Sequence, residues 1–183
     1  RIGSTRLLVE AIGRSAHKPA VLVSASATGY YGAQPPEVEL DETSPPGNDY
    51  LAGVCVRWEE AAREVEKLGV RAVQLRIGVV LGEGGGALEK MLLPFKLYAG
   101  GPVGDGKQIV SWVHRDDVVG MLLLAIDNPA IKGPINAVSP NPVSSKELAT
   151  AIGIVSGRPS WIPAPAFALK LAMGEAASIL LTG

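Results

Sequence analysis

The stretch "VRAVQLRIGVVLGEGGGA", residues 70–87, decides the fold class. Residues 70–82 form an apolar run without in-out alternation, which is how a strand covered on both faces reads. Glycines follow, and then a helical segment, "LEKMLLPFKLYAG", that Pro94 kinks or breaks. Upstream, "PAVLVSAS" at 19–26 is a second buried strand, again ending in small residues and glycine. Between the two strands lies a helix that opens after Asn48 or Asp49 and stops at Gly69. Its apolar stripe is Leu51, Val54, Cys55, Trp58, Ala62 and Val65, with Arg57, Glu60, Glu64 and Lys67 facing away.

The alternation continues in both directions. Residues 1–13 carry Ile2, Leu7, Leu8, Ala11 and Ile12 at helical spacing. A short strand is expected at 108–113, then a helix with Asp116 and Asp117 in its first turn, where carboxylates suit the helix dipole. A strand at 133–139 follows, then a helix opened by the Ser144/Glu147 capping box and running through Val155. The proline-rich "RPSWIPAPAFALKLAMG" leads into a last helix, and the proline-rich 33–49 reads as a loop. Strands joined by helical crossovers make an α/β, doubly wound parallel sheet, which binds ligands beyond the carboxyl ends of its strands. The loops after Ser26 and after Leu81 are therefore expected to line the site.

Composition narrows the function classes. At 183 residues and 47% hydrophobic content the chain can bury a sizeable core. Its 17 basic and 18 acidic residues are spread along the sequence, so no basic stripe collects nucleic acid or an anionic membrane surface. A single cysteine excludes an internal disulfide framework and makes a reducing compartment the default; two histidines supply no zinc cluster. No apolar run approaches the length of a bilayer span.

Three stretches and one arginine carry candidate chemistry. "GEGGGA" at 82–87 fits a loose dinucleotide fingerprint, but its glycines crowd together without a helix entering from the third, so a loop closing over a ligand is the better reading. "SASATGYYG" at 24–32 sets small hydroxyl residues at the end of a buried strand, where Ser26 or Thr28 can reach a reacting oxygen or simply satisfy loop backbone. In "WVHRDDVVG", His114 is a proton donor or acceptor, or else part of a helix-cap network. Arg76, near the end of its strand, binds an anionic substrate group or pairs with Glu83.

Taken together, "VSASATGYYG", "GNDYLAGVCVRWEEAA", "LRIGVVLGEGGGAL", "GGPVGDGKQIVSWVHRDDVVGMLLLAI" and "INAVSPNPVSSKELATAIG" resemble the atypical extended short-chain dehydrogenase/reductases grouped as epimerase family proteins. The wording is similar to the cyanobacterial and plastid branch, some members of which are associated with plastid division. The resemblance implies a Rossmann-like doubly wound sheet and NADP as cofactor. It assigns Arg1, Ser24, Ser26, Arg76, Gly78, Val79 and Val80 to the cofactor side, and it divides the chain into a Rossmann portion at 1–128 and a substrate-side subdomain at 129–183. It also implies that the opening strands and a glycine-rich phosphate loop precede Arg1, so that strand 19–26 lacks its neighbour on one side.

Typical members of that superfamily relay a proton through a tyrosine whose pKa is depressed by a lysine four residues on, a pair that needs one helical face. Here Tyr30, Tyr31, Tyr50 and Tyr98 are followed at that spacing by Gln34, Pro35, Val54 and Pro102. Matching Glu59 to the superfamily's helix glutamate puts Leu51 and Cys55 in the tyrosine and lysine positions. The residues left to carry chemistry are Ser26 or Thr28 polarising a substrate oxygen and Tyr50 or His114 as proton donor, with an unidentified small-molecule substrate. Cys55 reads as an inert core thiol. The expectation is an NADP-dependent oxidoreductase or nucleotide-sugar epimerase-like protein of the cytoplasm or plastid stroma. The competing expectation is a non-catalytic NADP-binding scaffold or regulator with a protein partner.

Overall fold

The computed structural model describes residues 1–163, in two compact units. The first comprises Arg1–Ala33, Glu39–Gly78 and Asp116–Ala137. Its centre is a parallel sheet in the order β1-β2-β6, built from β1 (Val21–Ala27), β2 (Arg71–Ile77) and β6 (Gly133–Ala137). Because side chains alternate across a strand, β2 packs Ala72 on one face and Val73 and Leu75 on the other. Ala72 joins Ile12 of α1 (Ile2–Arg14) with Val65 and Val70. Val73 and Leu75 join Ala137 and Ala125 of α4 (Arg115–Asp127). The unalternating strand reading thus has its cause: helices lie on both faces.

The helix expected after Asp49 is α2 (Tyr50–Arg63), continued by a 3-10 stretch at Glu64–Leu68 and ended by Gly69, whose φ of 77° only glycine adopts without strain. Asp49 caps it, accepting the Ala52 amide at 2.8 Å. The buried face, however, is centred on Ala52, Cys55, Glu59 and Ala62, while Leu51 is exposed. A glutamate therefore sits on the stripe that the sequence reading treated as apolar.

The second unit comprises Gln34–Val38, Val79–Arg115 and the residues from Val138 onward. In it β3 (Val79–Leu81) pairs in parallel with β5 (Trp112–His114), and β4 (Ile109–Val110) pairs antiparallel with β7 (Val143–Ser144). Two helices complete it: α3 (Gly86–Lys96), which accommodates Pro94 within its last turn, and α5 (Ser145–Ser156), opened by the expected Ser144/Glu147 capping box. The last helix expected from the sequence lies outside the described residues.

Two expectations need correction. The run 70–82 is not one strand: the Gly78 amide still bonds Ala137 O at 3.2 Å, but the Val79 amide bonds Ser111 O at 2.7 Å, so the chain changes sheets there. Likewise 108–113 is two short pieces with different partners. Both sides of each break are apolar, so hydrophobic periodicity carries no trace of it. Among the described strands β1 pairs with β2 alone.

Candidate functional site

Register places Ser26, Arg76 and Asn136 side by side near the carboxyl ends of β1, β2 and β6. Pairs in register point to the same face. On that face lies Glu59 of α2, 1% exposed, and it organises the group. Arg76 Nε donates to Glu59 Oε1 at 2.9 Å and Nη2 donates to Oε2 at 3.0 Å, a two-pronged ion pair. The Ser26 hydroxyl donates to Glu59 Oε1 at 2.7 Å.

The other edge of the guanidinium is engaged too. Nη1 donates to Tyr31 Oη at 3.0 Å and to the Glu42 carbonyl at 3.2 Å, while the Tyr30 ring lies 3.5 Å from Arg76 Cζ. Tyr31 Oη donates to Asn136 Oδ1 at 2.6 Å, and the Asn136 backbone amide donates to Glu42 Oε1 at 2.7 Å. Burial, the largest influence on Arg76, works against its charge; the Glu59 hydrogen bonds, then Tyr31, outweigh it and hold the pKa above the ordinary arginine value. The partner of Arg76 is thus Glu59, where the sequence reading offered Glu83 or an anion.

The loop Glu39–Asp49 straps this network from outside. Gly47 bonds the Tyr30 carbonyl at 2.9 Å, and the Asp41 carboxylate accepts from Thr43 and Ser44, whose hydroxyls foremost lower its pKa. Beside Arg76 on β2, Gln74 is fully buried, and neither atom of its amide has a partner among the described residues.

The remaining candidates are placed as follows. Thr28 is the first residue past β1 and opens a 3-10 turn, Thr28–Tyr31, half-buried. Tyr50 begins α2 at 80% exposure. Ser24 donates to the Ala25 carbonyl at 3.1 Å, and the Arg1 guanidinium lies 5.0 Å from the Trp58 ring. Ser24, Ser26, Thr28, Arg76 and Arg1 all belong to the first unit.

In the second unit, Val79 and Val80 line an open cavity of about 440 Å³ together with Gly82, Gly84, Gly85, Gly86 and Arg115. Arg115 donates to the Glu83 carbonyl at 2.9 Å and lies across Gly82, where an added Cβ would come 3.0 Å from its own Cβ. The glycine loop after Leu81 therefore does line a cavity, with Gly78 just before it. His114 ends β5, exposed and in register with Leu81.

Cys55 is buried beside Ser26. Burial foremost, and then the negative charge of Glu59, raise its thiol pKa, so it stays protonated and unreactive at neutral pH. Iodoacetamide at pH 7.5 is expected to leave Cys55 unlabelled in the folded protein and to label it fully in denaturant, read by mass spectrometry. Rapid labelling in native buffer would refute the placement.

Among the described residues no helix is long and apolar enough to cross a membrane, and no cluster of three or more metal-binding side chains occurs. Glu59, the hub of the network, escaped the sequence search for site residues. Two sequence signals bear on it: its match to the superfamily's helix glutamate, and its spacing, four residues after Cys55 on the buried stripe.

Comparison with known proteins gives a consistent result. A profile described as the NAD dependent epimerase/dehydratase family matches residues 1–137. A chloroplastic homologue of epimerase family protein SDR39U1 from Arabidopsis thaliana is 49% identical over 185 residues, covering 100% of this chain and 53% of that protein. Epimerase family protein YfhF of Bacillus subtilis is 38% identical, covering 100% of this chain and 60% of its own length. The chain thus spans about half to three-fifths of the curated relatives it matches. Human SDR39U1 (isoform 2), crystallised with NADPH, superposes with a TM-score of 0.92 at 36% identity, covering 100% of this chain and 62% of the human one. A nucleoside-diphosphate sugar epimerase from Corynebacterium glutamicum gives a TM-score of 0.74 at 34% identity, with 100% and 41% coverage.

Proposed function

This chain belongs to the NAD dependent epimerase/dehydratase family, and from that membership we infer that it forms part of an NADP(H)-binding oxidoreductase or nucleotide-sugar epimerase-like protein with an atypical active site. The observation that carries the reading is the similarity of the whole chain to a human relative crystallised with NADPH.

The residues present fit such a cofactor. Small side chains at the carboxyl end of β1, Ser24 to Ala27, leave room for a flat group beside the sheet. In the second unit, Val79 and Val80 present an apolar wall to a glycine-rimmed cavity. In the first unit Arg1, Ser24, Ser26 and Gly78 are the residues we assign to the cofactor, and in the second Val79 and Val80; Arg76, held by Glu59, is left to the network. When bound, NADP(H) supplies or accepts the hydride. The protein's part is to orient a substrate oxygen through a hydroxyl after β1 and to move a proton, for which Tyr50 and His114 are the candidates. In this reading residues 1–128 carry the cofactor portion, and 129–183 contribute strand β6 and the substrate-side subdomain.

A non-catalytic NADP-binding scaffold is favoured by one specific observation: none of Tyr30, Tyr31, Tyr50 and Tyr98 is followed by a lysine four residues on. The test uses the natural full-length protein. NADPH fluorescence is expected to rise saturably on binding, and a screen of carbonyl compounds and nucleotide sugars should then reveal cofactor turnover. Binding without turnover supports the scaffold; a flat titration rejects both. A small-molecule substrate and a reducing compartment, cytoplasm or plastid stroma, complete the proposal, and a protein partner goes with the scaffold reading.

A further inference from the structure

The glycine loop after Leu81 has a second side. There, an open cavity of about 360 Å³ lies between Gly82, Glu83 and Gly84 and one stripe of α3, wholly within the second unit. None of its α3 residues is assigned to the cofactor. Leu88, Leu92 and Lys96 stand four residues apart, so they share a helix face and run along the cavity in that order. Both leucines are half-buried and form an apolar floor.

The two ends of that floor carry opposite charge. Glu83 and Glu89 stand at the loop end. A Cβ built on Gly85 would lie 3.9 Å from Glu89 Oε2, so this carboxylate is turned back onto the start of its own helix, where the dipole favours it. An anionic ligand is thereby kept from the loop end. Lys96 lies seven residues on from Glu89, about 10 Å along the helix axis. Its ammonium makes no hydrogen bond or ion pair with another described residue. Its full charge also exceeds the roughly half charge of the helix end behind it. An elongated ligand with one anionic end therefore fits in one direction only, with the anion on Lys96 and the apolar chain across Leu92 and Leu88.

The other end of such a ligand meets bare backbone. A Cβ on Gly84 would find nothing within 4 Å, so no described residue packs against that side of the loop. Gly82, Glu83 and Gly84 also border the Val79/Val80 cavity, so the ligand's far end arrives beside it. We propose that the α3 cavity binds the remote arm of a small molecule, an apolar chain ending in an anionic group held by Lys96. That this molecule is the substrate, with its reacting group at the end away from the anion, rests on the cofactor-binding reading above. At roughly 30 Å³ per water-sized group the cavity takes about twelve, enough for a chain of about eight carbons.

The test uses the natural full-length protein and follows sodium octanoate by saturation-transfer NMR. Octanoate should bind saturably, and butyrate roughly 10-fold to 20-fold more weakly, since a buried methylene is worth about 4-fold and an open cavity buries about half of each. Lys96→Gln should weaken octanoate by about 2-fold to 5-fold, the range of an exposed ion pair, with the melting temperature unchanged. Lys96→Arg should restore it, and uncharged 1-octanol should bind parent and both variants alike. Octanoate that binds Lys96→Gln as tightly as the parent, butyrate that matches octanoate, or no saturable octanoate signal while NADPH still titrates overturns this assignment alone. Octanoate binding with the expected dependences in a protein that does not bind NADPH upholds the cavity's ligand and overturns the cofactor reading, and with it the ligand's role as substrate.

Discussion

Arg76→Met should cost about 3–5 kcal/mol of stability, the largest effect expected of any single change in the site, because it leaves Glu59 buried and charged with no counter-charge. The pair lies at 3% and 1% side-chain exposure, so solvent offers almost no relief. Tyr31 and the Glu42 carbonyl would lose their donor in the same step. Urea unfolding followed by circular dichroism measures the loss. The diagnostic companion is Glu59→Leu combined with Arg76→Met. Removing both charges is often neutral or even stabilising, so the double variant should recover most of what the single one loses. A double variant as unstable as Arg76→Met would show that the network matters through its other bonds and not through the ion pair.

Gly47→Ala is expected to be the second most damaging substitution, at about 1–3 kcal/mol, by overpacking. A Cβ there would lie 2.6 Å from the Tyr31 carbonyl oxygen, 2.7 Å from Gly32 Cα and 2.8 Å from Gly32 N. All three are backbone atoms of the turn that carries Tyr30 and Tyr31, so no side chain can swing aside. Either the strap moves off the turn or the turn is pushed toward Arg76. Gly53→Ala, inside α2, serves as the control. Its added carbon meets nothing nearer than the mobile end of Arg57 at 3.5 Å, and alanine in a helix is favoured over glycine by about 0.5–1 kcal/mol. Thermal melts should move in opposite directions for the two variants; a Gly47→Ala protein melting with the parent would refute the close packing of strap on turn.

The sequence was most legible where structure is local. The capping box at Ser144 and Glu147 and the Gly69 stop are read from residues a few places apart and appear as expected, and of the two caps offered, Asn48 and Asp49, the structure uses Asp49. Strand identity at 21–27 and 71–77 followed from apolar runs that helices cover on both faces. Gly78 was less legible: the apolar pattern continues unbroken through it, and the change of partner is decided by hydrogen bonds from Ala137 and Ser111, far along the chain. Glu59 was hidden for a related reason. A charged residue on a helix is ordinarily solvated, and what makes this one buried is an arginine 17 residues away on a strand, together with a serine 33 residues back.

The span of these bonds has a kinetic meaning. Tyr31 meets Asn136 across 105 positions, Glu42 meets Asn136 across 94, and Arg76 meets Tyr31 across 45. Each such meeting requires the chain ends of a long loop to find one another, at an entropic cost met before the bond returns anything. Helices and the β1-β2 pair can assemble ahead of it; the polar knot then ties last. Changes that weaken it should therefore leave the refolding rate almost untouched and quicken the escape from the native state, making the lifetime of this region, more than its rate of formation, the quantity that selection can tune.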